Sequence, residues 1–173
     1  MGWAAWSAAL VAVAASAAAA WFDARSGRIP NALCLFATFA GIGLGVWNGG
    51  LDGLLGAAAG GLVTALVPLL LYRAEAMGGG DVKLLFALGT LLGVQGGLEV
   101  ESVAFMAGAV HGLVVWARRG RLKAGLAVAA RKVVPFDRRP VTGEMISAAG
   151  TTIPFAPSIL LGSVVAVVVA VAG

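Results

Sequence analysis

Long apolar runs alternate with short polar breaks along this chain, and the runs have the length of bilayer crossings. A crossing helix needs about 20 mostly apolar residues, within a range of about 17–25. Trp3 to Phe22 is the first such run and carries no charge. Trp3, Trp6 and Trp21 lie near its ends, where indole rings favour the membrane interface. No Lys or Arg precedes it and the first charged side chain is Asp23, so it reads as a crossing rather than a secretory signal. Asn31 to Trp47 is the second run, preceded by Pro30, a residue suited to a helix start. The third is about Leu54 to Tyr72, with Pro68 placed to kink it near its end. The fourth opens at Asp81 and fades around Gly93 to Gly97. It is short, which predicts an oblique entry or a place deep among its neighbours. The fifth is about Ser102 to Ala117 and the sixth about Pro154 to Ala172. The pattern predicts an all-α integral membrane protein of about six transmembrane helices, forming a single transmembrane domain over residues 1–173.

The polar breaks predict the orientation. Arg25 and Arg28 follow the first run, and Arg73 and Lys83 flank the break after the third. Arg118, Arg119, Arg121, Lys123, Arg131, Lys132, Arg138 and Arg139 all follow the fifth. The intervening breaks, Asn48 to Gly53 and Gln95 to Glu101, contain no Lys or Arg. All 12 basic residues therefore fall on alternate breaks. The positive-inside rule makes those breaks cytoplasmic and puts both termini outside. Five or seven crossings would destroy the alternation. The long basic cytoplasmic loop, about Arg118 to Thr152, spaces Leu122, Leu126, Ala129 and Val133 at helical intervals among its charges. That spacing predicts a helix on the inner membrane surface, with a flexible basic linker as the alternative.

Composition agrees with a bilayer as solvent. The chain is 60% hydrophobic and 12% charged, against about 45–50% and about 25% in a soluble domain. Its net charge of +4 is explained by topology and by anionic lipid of the cytoplasmic leaflet, so no nucleic-acid partner is expected. Glycines recur in spaced pairs, Gly41/Gly45, Gly56/Gly60, Gly93/Gly97 and Gly108/Gly112, as in helices that approach closely. The lone cysteine, Cys34, excludes a disulfide within the chain and a multi-cysteine zinc site, and reads as a small buried hydrophobe. No metal and no cofactor are expected.

Two aspartates fall at the predicted inner boundary of the hydrocarbon. Asp23 ends the first run, in Trp21-Phe22-Asp23-Ala24-Arg25-Ser26-Gly27-Arg28-Ile29-Pro30-Asn31. Asp81 opens the fourth, in Met77-Gly78-Gly79-Gly80-Asp81-Val82-Lys83-Leu84-Leu85. Ionisable groups at that depth are costly and point to function. Asp81 also fits a plain helix cap. Asp23 fits a structural role less well, because the dipole at a helix C-terminus disfavours an anion; Arg25 and Arg28 are its candidate partners. Two facing carboxylates cannot both ionise easily, so one keeps a proton. The ionised member can then take a proton from water while the protonated one donates to a peptide carbonyl, which is aspartic proteolysis. Gly78, Gly79 and Gly80 leave the backbone before Asp81 free to approach a substrate strand.

Gly78-Gly79-Gly80-Asp81 resembles the Gly-x-Gly-Asp signature of membrane aspartic proteases. With Val82-Lys83-Leu84-Leu85, the upstream Asp23 and Arg28-Ile29-Pro30-Asn31, and Ile153-Pro154-Phe155-Ala156-Pro157, nearly the whole chain resembles the prepilin peptidase (type IV leader peptidase) family. The resemblance implies a catalytic pair, Asp23 and Asp81, supported by Gly78, Gly79, Gly80, Lys83, Ile29, Pro30 and Asn31. It implies that prepilin or pseudopilin precursors are cut at the cytoplasmic face of the inner membrane, between a short basic leader and an apolar helix. Larger members resemble a peptidase with an added four-cysteine segment and also N-methylate the new terminus. Only Ala24 to Pro30 separates Asp23 from the second run here, and three of the four cysteines are missing. That departure argues against methyltransferase activity and resembles the short forms serving tight-adherence (Flp-type) pili.

The remaining polar residues predict less. His111 is expected to make a helix–helix hydrogen bond, and Lys83, off the face of Asp81, to meet lipid phosphate. Glu75, Asp137 and Glu144 read as solvated loop charges; Asp52, Glu99 and Glu101 fall on the predicted outer face. A small proton-coupled transporter is the main rival, but it predicts acids strung across the bilayer, and the middles of these runs are nearly uncharged. A non-catalytic pilus-assembly membrane protein is opposed only by the intact aspartate pair.

Overall fold

The computed structural model describes residues 3–133 and 155–172, and every regular element among them is a helix. α1 is Trp3–Ser26, α2 is Asn31–Arg73 and α3 is Gly79–Arg118. α4 is Leu122–Val133 and α5 is Ala156–Ala172. α1, α2 and α3 are each long and apolar enough to cross a membrane, and α5 is a shorter apolar helix. Residues 134–152 of the predicted basic loop, with Asp137, Glu144, Ile153 and Pro154, lie outside the described residues.

α2 and α3 each join two of the predicted runs, and each doubles back at one glycine. Gly50 interrupts α2 with φ 55° and ψ −126°, and Gly93 interrupts α3 with φ 72° and ψ −175°. Positive φ at a single residue is available to glycine at little steric cost. Residues eight apart on a straight helix stand about 12 Å apart. Yet a Cβ on Gly53 would strike the carbonyl oxygen of Gly45, and one on Gly97 would come 3.1 Å from the Cα of Gly89. The chain must therefore fold back between the members of each pair. Pro68, by contrast, keeps helical dihedrals and is buried. The polar residues 95–101, read from sequence as a break, are helical: a one-glycine reversal needs no longer loop.

Small residues hold the limbs together. Any Cβ on Gly60 would strike the carbonyl oxygen of Gly89, and one on Gly41 would stand 2.6 Å from Thr90 Oγ1. Not every spaced pair packs this way, since a Cβ on Gly56 would meet nothing. The core is built from Ala12, Ala15 and Ala19 of α1, Ala37 of α2, Leu84, Leu85 and Leu88 of α3, and Ile159 of α5. Ser16 and Ser163, 2.7 Å apart, join α1 to α5 inside it. Large apolar side chains such as Phe36, Phe39, Trp47 and Leu66 point outward instead, as a lipid solvent allows. Because Gly53 abuts a backbone oxygen, Gly53→Ala is expected to lower stability by about 1–3 kcal/mol. Thermal unfolding of the two proteins in detergent checks this, and an unchanged midpoint would mean that the limbs do not touch there.

Candidate active site

The turn after α1 is tight, and its tightness fixes Asp23. The Gly27 N–H donates to the Asp23 carbonyl over 2.8 Å, with Gly27 at φ 63°. Ser26 Oγ donates to the Phe22 carbonyl over 2.8 Å. Pro30 then caps α2 in an extended conformation, φ −62° and ψ 131°. The Asp23 side chain leaves its own helix: Oδ2 accepts the Ala156 N–H, the first of α5, over 3.3 Å. A carboxylate misplaced at the negative end of α1 is thus compensated by the positive end of α5. Arg25, a candidate partner for Asp23 in the sequence, instead lies over the Trp21 ring, 4.0 Å from its centroid.

Asp81 lies in the first turn of α3, which starts from Gly78 in an extended conformation, φ −75° and ψ 142°. Each of the three preceding glycines faces a different neighbour. A Cβ on Gly78 would stand 3.0 Å from Asp81 Oδ2, and one on Gly79 would stand 3.2 Å from the Tyr72 ring. On Gly80 it would stand 3.1 Å from Ile29 Cβ. Lys83 Nζ donates to Asn31 Oδ1 over 2.8 Å. Within the protein, Asn31 is thus a partner of Lys83. The Gly80–Ile29 and Lys83–Asn31 contacts knit the segment around Asp81 to the segment after Asp23. Both aspartates are partly buried.

Every residue predicted to belong to the site thus gathers at one end of the bundle. Sequence reasoning missed Tyr72 and the Ala156 N–H. Ala156 sat inside a recognised motif, but a backbone donor leaves no mark on residue type. Beside Lys83 a cavity of about 740 Å³ opens between α2 and α3, lined by Asn31, Cys34, Thr38, Leu66, Lys83 and Phe86 among others. Cys34 is buried in the core, as its small apolar character predicts. His111 is exposed. Glu101 departs furthest from expectation, because it is buried. Among the described residues no three His, Cys, Asp or Glu side chains come together as metal ligands.

The type IV leader peptidase family model matches residues 10–113, a stretch containing both aspartates and the three glycines. The chain belongs to the type IV leader peptidase family. It is similar to the prepilin leader peptidase/N-methyltransferases of two Burkholderia pseudomallei strains, 1026b and K96243. Each is 36% identical over 110 residues, covering 58% of this chain and 34% of the relative. The match thus spans about a third of the length of those relatives. No solved structure gives a significant match. The family match ends within α3, so the contact between Asp23 and α5 lies partly beyond it.

Proposed function

We propose that the chain is a membrane-embedded aspartic endopeptidase that removes the basic leader from type IV prepilin-like precursors at the cytoplasmic membrane face. The observation that carries this reading is the gathering of Asp23 and Asp81, from different helices, at one partly buried end of the bundle, where the Gly80–Ile29 and Lys83–Asn31 contacts join their segments. In this reading the ionised carboxylate takes a proton from water, and the resulting hydroxide oxygen bonds to the scissile carbonyl carbon. The protonated carboxyl gives its proton to the carbonyl oxygen. Collapse of the tetrahedral intermediate breaks the C–N bond: the carboxyl that took water's proton gives it to the leaving amine nitrogen, and the other carboxylate takes a hydroxyl proton from the intermediate, which restores the pair. The three glycines give a substrate strand access to Asp81, and the cavity beside Lys83 is a seat for the apolar segment that follows the leader.

The two limbs of α2 and of α3, with α1 and α5, supply six crossings in this reading, with both termini outside. Arg25, Arg28, Arg73 and Arg118 then share the face of the two aspartates, the cytoplasmic side of the inner membrane. Peptidase activity alone is proposed, since the short Ala24–Pro30 link and the single cysteine do not supply the added segment of bifunctional members. The substrates proposed are precursors of Flp-type pili. The test is cleavage of such a precursor by the purified chain in detergent. A cut at the leader boundary supports the reading. No cut across several pilin classes favours a transporter or a non-catalytic assembly protein.

A further inference from the structure

Two buried side-chain oxygens among the described residues have no hydrogen-bond partner, Glu101 Oε1 and Thr64 Oγ1. Glu101 is 5% exposed and Thr64 0%. They meet at one helix crossing. A Cβ on Gly97 would strike Thr64 Oγ1, and one on Gly89 would stand 2.7 Å from it. Glu101 follows Gly97 by one turn on the same face, and helical side chains lean toward the N-terminus. Glu101 and Thr64 therefore border the same bare surface of Gly97.

Among the described residues the neighbouring stretches offer no cation to balance it. Residues 3–22, 53–71 and 156–172 contain no charged side chain, and between Lys83 and His111 α3 carries only Glu99 and Glu101. Glu99 is engaged with Gln95, which donates to it over 3.1 Å. A buried, unpaired carboxylate is too costly to persist without a counter-charge. A proton alone would neutralise it, yet Glu101 Oε1 and Thr64 Oγ1 are not bonded to each other in the structure. A metal cation satisfies charge and oxygens together. The crossing also lies beside the reversal at Gly93, and helix ends leave carbonyl oxygens without intrahelical partners. Interrupted membrane helices use such ends to coordinate sodium.

We propose that Glu101 and Thr64 form a buried site for one alkali cation, held between carboxylate and hydroxyl beside the Gly93 reversal. The site is independent of the peptidase reading, since neither residue belongs to the aspartate end of the bundle. It is tested on the purified full chain by thermal unfolding, with sodium, lithium or potassium chloride replacing N-methylglucamine chloride at constant pH and ionic strength. At a tenfold excess over Kd the midpoint is expected to rise by roughly 2–5 °C with at least one of the three. Glu101→Gln, equal in size and uncharged, abolishes the rise. Thr64→Val weakens it, and Thr64→Ser, which keeps the oxygen, retains it. A wild-type midpoint indifferent to all three ions overturns the site, as does a full rise in Glu101→Gln. A gap between wild type and Glu101→Gln that moves with pH but not with metal ion assigns a bound proton instead, and also overturns it.

Discussion

Asp23→Asn and Asp81→Asn are each expected to lower cleavage of a prepilin-like substrate by at least about 10²–10⁴-fold, the range of a lost general acid or base. The double variant should fall little further, because two groups that share one proton act as a unit. The substitutions nearly preserve shape, so folding is expected to survive, although for different reasons at the two sites. At position 81, in the first turn of α3, the amide keeps the size of the side chain while removing its charge. At position 23 the amide oxygen can still accept the Ala156 N–H that the carboxylate accepts over 3.3 Å. Loss of activity with an unchanged unfolding midpoint would isolate proton transfer as the missing step. A folded single variant with full activity would remove that aspartate from the pair. The Gly78 contact adds a control at the same site. Its Cβ position lies 3.0 Å from Asp81 Oδ2, so Gly78→Ala moves the carboxylate without removing it. It is expected to lower activity by a smaller factor than Asp81→Asn.

Much of this arrangement was legible in the sequence, because it depends on chain-local signals. Asp23, Asp81 and the three glycines lie beside uncharged runs, and Pro30 opens a helix as its fixed φ predicts. The misreadings have physical causes. Residues 95–101 are polar enough to resemble a loop, but a single positive-φ glycine at position 93 reverses the chain and leaves them helical. Glu101, read from sequence as an outer-face acid, is buried within the protein. Lys83 lies off the face of Asp81, so its meeting with Asn31, 52 positions earlier in the chain, could not be read from helical spacing. The partner of Asp23 is a backbone N–H, and no residue type announces that. In each case the missing information was which helix end faces which, a property of packing rather than of any local pattern.

That last contact yields the second large prediction. Ala156→Pro removes the N–H that donates to Asp23 Oδ2, and it does so at the helix position where proline is best tolerated. Ala156 already precedes Pro157, and Phe155 before it is outside the helix, so the backbone restrictions added by the new ring are small. Lost capping should cost only about 1 kcal/mol of stability. Activity should suffer far more, because a catalytic group displaced by about 1 Å can cost on the order of 10²-fold in rate. The expected result is a folded protein with kcat lowered by about 10–10²-fold and KM little changed. Ala156→Gly keeps the N–H and should retain most of the activity. If Ala156→Pro cleaves as fast as wild type, then α5 serves only to pack, through the Ser16–Ser163 bond and its Ile159 face. If both variants lose activity equally, the methyl group of Ala156 and not its N–H is what the site needs. A loss confined to proline would make the start of α5 a positioning element for Asp23, and would explain why a carboxylate is tolerated at the end of α1, where that helix's own dipole opposes it.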